Sequence, residues 1–252
     1  MKRAAIFIAL PALLAGCTPL VRNHLPAPSA SAPNLPIAPF SAHAGNSLPN
    51  EWKPFIILRT KKPTEYRIVP DNGKKVVHAY AREASSGLMH HTNIDPHAQP
   101  WLHWRWKVGR AVETADHQLS IEDSPARIIL GFDGDKDELP FSEQILFETA
   151  KMLTGQELPY ATLMYVWDKH APIGTVKSSR RSSRVKMMVV ANEASGVGHW
   201  QSFARNIVDD YMAAFGEKPA QLIGVGILTD TDNLGGAVEA WYGDIHLQPG
   251  HQ

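Results

Sequence analysis

The chain has 252 residues, of which 44% are apolar, enough to fill one sizeable core or at most two small ones. Its 25 basic and 25 acidic residues balance, and nothing suggests the concentrated basic surface of a nucleic-acid-binding domain. The one cysteine, Cys17, excludes an intramolecular disulfide.

The N-terminus opens with Lys2 and Arg3, runs through apolar residues from Ala4 to Leu14, and reaches Leu14-Ala15-Gly16-Cys17. This order predicts an export signal over residues 1–16, because an apolar run of about eleven residues falls short of the roughly twenty that span a bilayer. The string LAGC resembles the lipobox of bacterial lipoproteins. That resemblance implies cleavage before Cys17, a diacylglycerol on its thiol and acylation of the new amino terminus, so that several acyl chains hold the protein to a membrane. Thr18, standing where Asp would redirect sorting, implies by the same resemblance the outer membrane, with the domain in the periplasm. Loss of residues 1–16 removes Lys2 and Arg3 and no acid, leaving a nearly neutral chain. Residues 17–50 carry prolines at 19, 26, 28, 33, 36, 39 and 49 and no acid, a composition that predicts an extended tether.

A single domain is predicted over residues 51–248. Runs rich in β-branched and aromatic residues predict strands at Phe55–Leu58, Glu65–Val69, Lys75–Arg82, Trp101–Val108, Arg127–Phe132, Thr162–Trp167, Arg184–Val190, Leu222–Leu228 and Ala240–Leu247. Helical spacing predicts Phe141–Leu153, after Pro140, and Phe203–Phe215, stopped by Gly216. The alternation of strand and helix that a doubly wound α/β fold needs is missing. The expected class is mainly β, a jelly-roll-like β-sandwich with two inserted helices.

Strand parity assigns faces. In Trp101–Val108 the even positions Leu102, Trp104, Trp106 and Val108 form a core face, and Trp101, His103, Arg105 and Lys107 the other. Likewise Ile128, Leu130 and Phe132 point inward with Arg127 outward, and Val185, Met187 and Val189 inward with Arg184 and Lys186 outward. The last strand divides into Trp241, Ile245 and Leu247 against Tyr242, Asp244 and His246. The polar faces are either the wet side of antiparallel sheet or a ligand surface, on which aromatic rings and fixed polar groups replace solvent around hydroxyls. The ligand-binding candidates are Trp101, Arg105, Arg127, Lys186, Tyr242 and Asp244.

Acidic loops add metal candidates. Asp133-Gly-Asp-Lys-Asp-Glu138 resembles the opening of an EF-hand loop, but Glu138 and Gln144 stand where that motif needs Gly and Glu, which leaves a solvated turn or a generic calcium site. In Thr229–Asn233 the residues Asp230, Asp232 and Asn233 either ligate a metal or close a turn on their own backbone. His90 and His91 precede Asn93 and Asp95 in what reads as a polar loop. No cofactor is expected, with calcium the one ion the loops suggest. No GxSxG, HExxH, P-loop or G-x-G-x-x-G motif is present.

The strings ARIILGFDGD (126–135), LMYVWD (163–168), SRVKMMVV (183–190), RNIVDDYMAAFG (205–216), GVGILTDTDN (224–233) and AWYGDI (240–245) together resemble the bacterial family catalogued as domain of unknown function 3047. The resemblance implies an exported or envelope-associated protein and brings no catalytic residues with it. Two functions stay open: a noncatalytic envelope module that binds a glycan or another polar ligand, and a hydrolase of cell-envelope polysaccharide using two facing carboxylates.

Overall fold

Strict alternation in Trp101–Val108 leaves a strand one choice of face, and the computed structural model, which describes residues 36–57, 60–109, 124–155, 157–231 and 236–250, obeys it residue by residue. The described elements in chain order are β1 (Trp52–Phe55), β2 (Glu65–Asp71), β3 (Lys74–Arg82), β4 (Ser85–Ile94), β5 (Trp101–Val108), β6 (Arg127–Phe132), α1 (Phe141–Thr154), β7 (Ala161–Asp168), β8 (Val176–Ser178), β9 (Val185–Asn192), β10 (Trp200–Asn206), α2 (Ile207–Phe215), β11 (Leu222–Asp230), β12 (Ala237–Tyr242) and β13 (His246–Gln248). A seven-stranded sheet runs β1-β4-β11-β6-β7-β9-β8, and a six-stranded sheet runs β10-β5-β12-β3-β2 with β13 also on β5. Pairing is antiparallel except between β7 and β9. The fold is a β-sandwich with two helices, as expected.

The two sheets share one core. Leu102, Trp104, Trp106 and Val108 of β5 meet Ile128, Leu130 and Phe132 of β6, Leu163 and Tyr165 of β7, and Val225 and Ile227 of β11. Trp104 stacks on Tyr165 across the sandwich with ring centroids 4.9 Å apart, an offset geometry that adds about 0.5–1.5 kcal/mol beyond burial. α2 ties the two sheets together: its Asp210 accepts from Tyr165 Oη of β7 at 2.6 Å and pairs with Arg205 of β10. Asn206 caps this helix, accepting from the N–H groups of Val208 and Asp209.

Four expectations change. Residues 36–50 belong to the domain and not to a tether, because Ile37 and Phe40 are fully buried in the core and Phe40 packs on Trp52 at 4.6 Å. The predicted helix at Phe203 starts only at Ile207, since the preceding residues pair with β5 as β10. His90 and His91 lie in strand β4, not a loop. Its Gly87 fits there because a Cβ would come within 2.5 Å of the Ile227 carbonyl oxygen on β11. In β9 the faces are reversed: Met188 and Val190 enter the main core, while Met187 and Val189 pack outside with Val166 and Ala171 in a second small cluster.

Candidate functional site

The outer face of the six-stranded sheet carries one row of side chains in direct cross-strand register. Trp200 of β10 stands opposite Lys107 of β5, Lys107 opposite Trp241 of β12, Trp241 opposite His78 of β3, and His78 opposite Arg67 of β2. With strands about 4.8 Å apart the row crosses roughly 19 Å of sheet. The rings and cations stack along it. Lys107 Nζ lies 4.4 Å from the Trp241 ring centroid and 5.3 Å from that of Trp200, and the His78 ring stacks on Trp241 at 4.8 Å. Arg105 places Cζ 4.4 Å from the Trp200 ring. Each such cation–π contact contributes about 0.5–1 kcal/mol at a wet surface and more where water is excluded.

Fixed polar groups flank the row. Asp71 accepts from Lys107 Nζ at 2.7 Å and from Trp200 Nε1 at 2.9 Å. The Lys107 ammonium and its hydrogen bond are the chief cause that holds this carboxyl below the ordinary range. Lys107 and Asp71 are only 19% and 16% exposed, so the pair is held in place rather than waving in solvent. His78 Nε2 meets Glu239 Oε2 at 3.0 Å. Beside them opens a shallow pocket of about 140 Å³ lined by Glu65, Arg67, His78 and Tyr80. Gly243 gives Arg105 its path, because a Cβ there would collide with the Arg105 Cγ and Nε.

The residues singled out from sequence do not gather in one place. Trp101 and Arg105 lie on this face, Trp101 in register with Asn206 and Gln248. Tyr242 does not: it is fully buried, its hydroxyl donating to the Leu228 carbonyl at 2.8 Å, paired with Thr229 Oγ1 at 2.8 Å and accepting the Arg127 N–H. The reason is that the predicted last strand is two strands, and the break at Gly243–Ile245 resets parity so that Tyr242 points in and Trp241 out. Arg127 is buried as well, paired with Asp230 at 3.0 Å, and Asp230 also accepts the Ser124 N–H. Lys186 sits on the other sheet and donates to Ser178 Oγ at 2.6 Å. Asp244 accepts both the N–H and the hydroxyl of Ser41.

For metals, Asp230 is committed to Arg127 and Ser124, while Asp232 and Asn233 lie outside the described residues, as does the lipidation candidate Cys17. In the first acidic loop Asp133 and Asp135 accept the N–H groups of Gly134 and Asp137, closing a turn on its own backbone. Among the described residues no group of three or more His, Cys, Asp or Glu is arranged to hold an ion. The sequence reading missed the row itself. It assigned Trp241 to the core and left Trp200 and His78 unremarked, although Gly243 marks the strand break that exposes Trp241.

A sequence model of the family described as "Protein of unknown function (DUF3047)" matches residues 50–246. No curated protein matches the chain. Solved structures to which it is similar include a family 30 carbohydrate-binding module of a Clostridium thermocellum cellulosomal cellulase, at 12% identity over 86% of this chain and 95% of that one, with a TM-score of 0.35. A family 12 xyloglucanase from Bacillus licheniformis gives 8% identity over 81% and 99%, with a TM-score of 0.44. The xyloglucanase domain of NopAA from Sinorhizobium fredii gives 7% over 86% and 100%, with a TM-score of 0.42.

Proposed function

This chain belongs to the DUF3047 family, and we propose that it is a noncatalytic binding module whose outer sheet face takes a glycan chain. The observation that carries the reading is the in-register row Trp200-Lys107-Trp241-His78-Arg67. Two half-buried indoles stand two strand spacings apart, ~9.6 Å, close to the separation of alternate rings in an extended polysaccharide. Lys107 and His78 cover faces of Trp241, so a sugar meets the indole edges there and the pinned polar groups beside them. Asp71, Glu239, Arg67 and Tyr80 supply the donors and acceptors that hydroxyls need in place of water.

The hydrolase alternative rests on Glu65 and Glu239, which flank Tyr80 from the two neighbouring strands. Binding is the better reading because the row is an open sheet face of indoles and pinned polar groups, and the pocket that Glu65 lines beside it is shallow, about 140 Å³, not the cleft in which two carboxylates face one scissile bond.

The test is a glycan array followed by titration of soluble polysaccharides. Trp200→Ala and Trp241→Ala should each weaken binding about tenfold or more, ~1.4 kcal/mol per decade, with unchanged circular dichroism. Binding that survives both substitutions refutes the face, and turnover abolished by Glu239→Gln would make the protein an enzyme.

We further infer that the module works from a lipid anchor on Cys17 in the bacterial envelope, on the periplasmic side of the outer membrane. The lipobox-like LAGC string supports this. Labelled palmitate should enter the wild-type chain and not Cys17→Ala, which should move to the soluble fraction.

A further inference from the structure

At the other end of β5 two imidazoles stand side by side. β13 pairs with β5 so that His246 lies directly opposite His103, and Leu247 opposite Leu102 beneath them in the core. The rings are parallel within 9° and their centroids are 5.1 Å apart. On the other flank of His103 the β10 residue is Ala204, small and exposed. Among the described residues no hydrogen bond occupies a ring nitrogen of His103. Among the described residues His246 has one side-chain hydrogen-bond contact, with Gln248, whose Nε2 is 3.3 Å from the His246 Nε2.

We propose that His103 and His246 form a two-histidine site for a late first-row divalent metal ion, with copper(II) bound most tightly. Directly opposed residues on antiparallel strands have Cβ atoms about 4.5–5.5 Å apart. Small χ rotations then bring two ring nitrogens to one ion at the ~2.0–2.1 Å that imidazole ligation requires. The imidazole must be neutral to ligate. Gln248, two residues along the same face of β13, can supply an oxygen: half a turn of its amide presents Oε1 where Nε2 now stands. Asp244, two residues the other way, places a negative charge near the ion. Imidazole donors in an open site follow the usual affinity order, in which copper(II) exceeds nickel(II) and zinc. The remaining coordination positions go to water. The site is independent of what the indole row binds.

Titration of the whole chain with copper(II) sulfate, read by calorimetry and electron paramagnetic resonance, tests this. One equivalent should bind with a spectrum that shows two nitrogen ligands. His103→Ala and His246→Ala should each weaken it by about tenfold or more, and Gln248→Ala by less. Binding that is absent, or that persists unchanged in both histidine variants, overturns the assignment, since the chain's 12 histidines include others outside this pair that could hold copper elsewhere. Paramagnetic broadening in the wild type provides the same decision without a substitution: it must single out the His103 and His246 ring protons.

Discussion

Tyr242 shows what one hydroxyl does inside this sandwich. Its three hydrogen-bond contacts, to Leu228, Thr229 and the Arg127 N–H, join β12 of one sheet to β6 and β11 of the other. Burial pushes the phenol far above its ordinary range, so it stays protonated and keeps donating. Tyr242→Phe leaves those partners buried without it and should cost about 1–3 kcal/mol, seen as a lowered midpoint in urea with an unchanged slope. His90 answers to pH. Its Nε2 accepts the Ala38 N–H at 3.2 Å, so the ring must be neutral at that atom. Burial is the main cause that lowers its pKa. In the unfolded chain the ring takes its proton near 6.5, and in the fold only at lower pH. Between those values the unfolded state binds more protons, so stability falls as pH drops below about 6.5. His246 shifts the same way. Melting temperature should therefore decline from pH 7 to about 5.5, and His90→Gln should flatten the decline; an unchanged slope in the variant removes His90 from the account.

At the scale of elements, the segment before β1 behaves as a plug. Phe40 is fully buried against Trp52, whose indole donates to the Ala38 carbonyl at 2.8 Å. Phe40→Ala should cost about 3–5 kcal/mol, where a mere tether would show no change. The proline-rich composition concealed this, because composition averages over a stretch in which two side chains, Ile37 and Phe40, decide the outcome. β5 was legible to the residue, since one face is all apolar and the other all polar. β4 was not, because Ser85-Ser-Gly-Leu-Met-His-His91 has no β-branched residue before Thr92 and owes its pairing to β1 and β11 on either side. The start of α2 could have been found: Asn206, followed by Asp209 and Asp210 in the first turn, is a helix-start signal.

For the whole molecule, the sandwich class followed from counting strands and helices, but the candidate site did not. Alternation says which side chains leave the core. It does not say which strands become neighbours, and the row from Trp200 to Arg67 exists only because β10, β5, β12, β3 and β2 lie in that order. Sequence placed Arg105, Lys107 and Trp101 on an outer face correctly, yet pooled that face with Lys186 of the opposite sheet and with Arg127 and Tyr242, which the fold turns inward.

The plug also fixes how the domain would bear a mechanical load. A pull applied from the N-terminal side reaches Ile37, Ala38 and Phe40 before it reaches β1, which is an edge strand held by β4 alone within its sheet. The first yield point is therefore the extraction of two apolar side chains and the parting of the Ala38 contacts with His90 and Trp52. Only once Ser41 has also left Asp244, and Lys75 of β3 the His43 and Gly45 carbonyls, can β1 peel from β4, leaving the strand pairing of the six-stranded sheet and its indole row in place. Residues 36–40 thus act as a mechanical fuse between any N-terminal attachment and the surface that would hold a ligand, and acid, by protonating His90, would lower its rating.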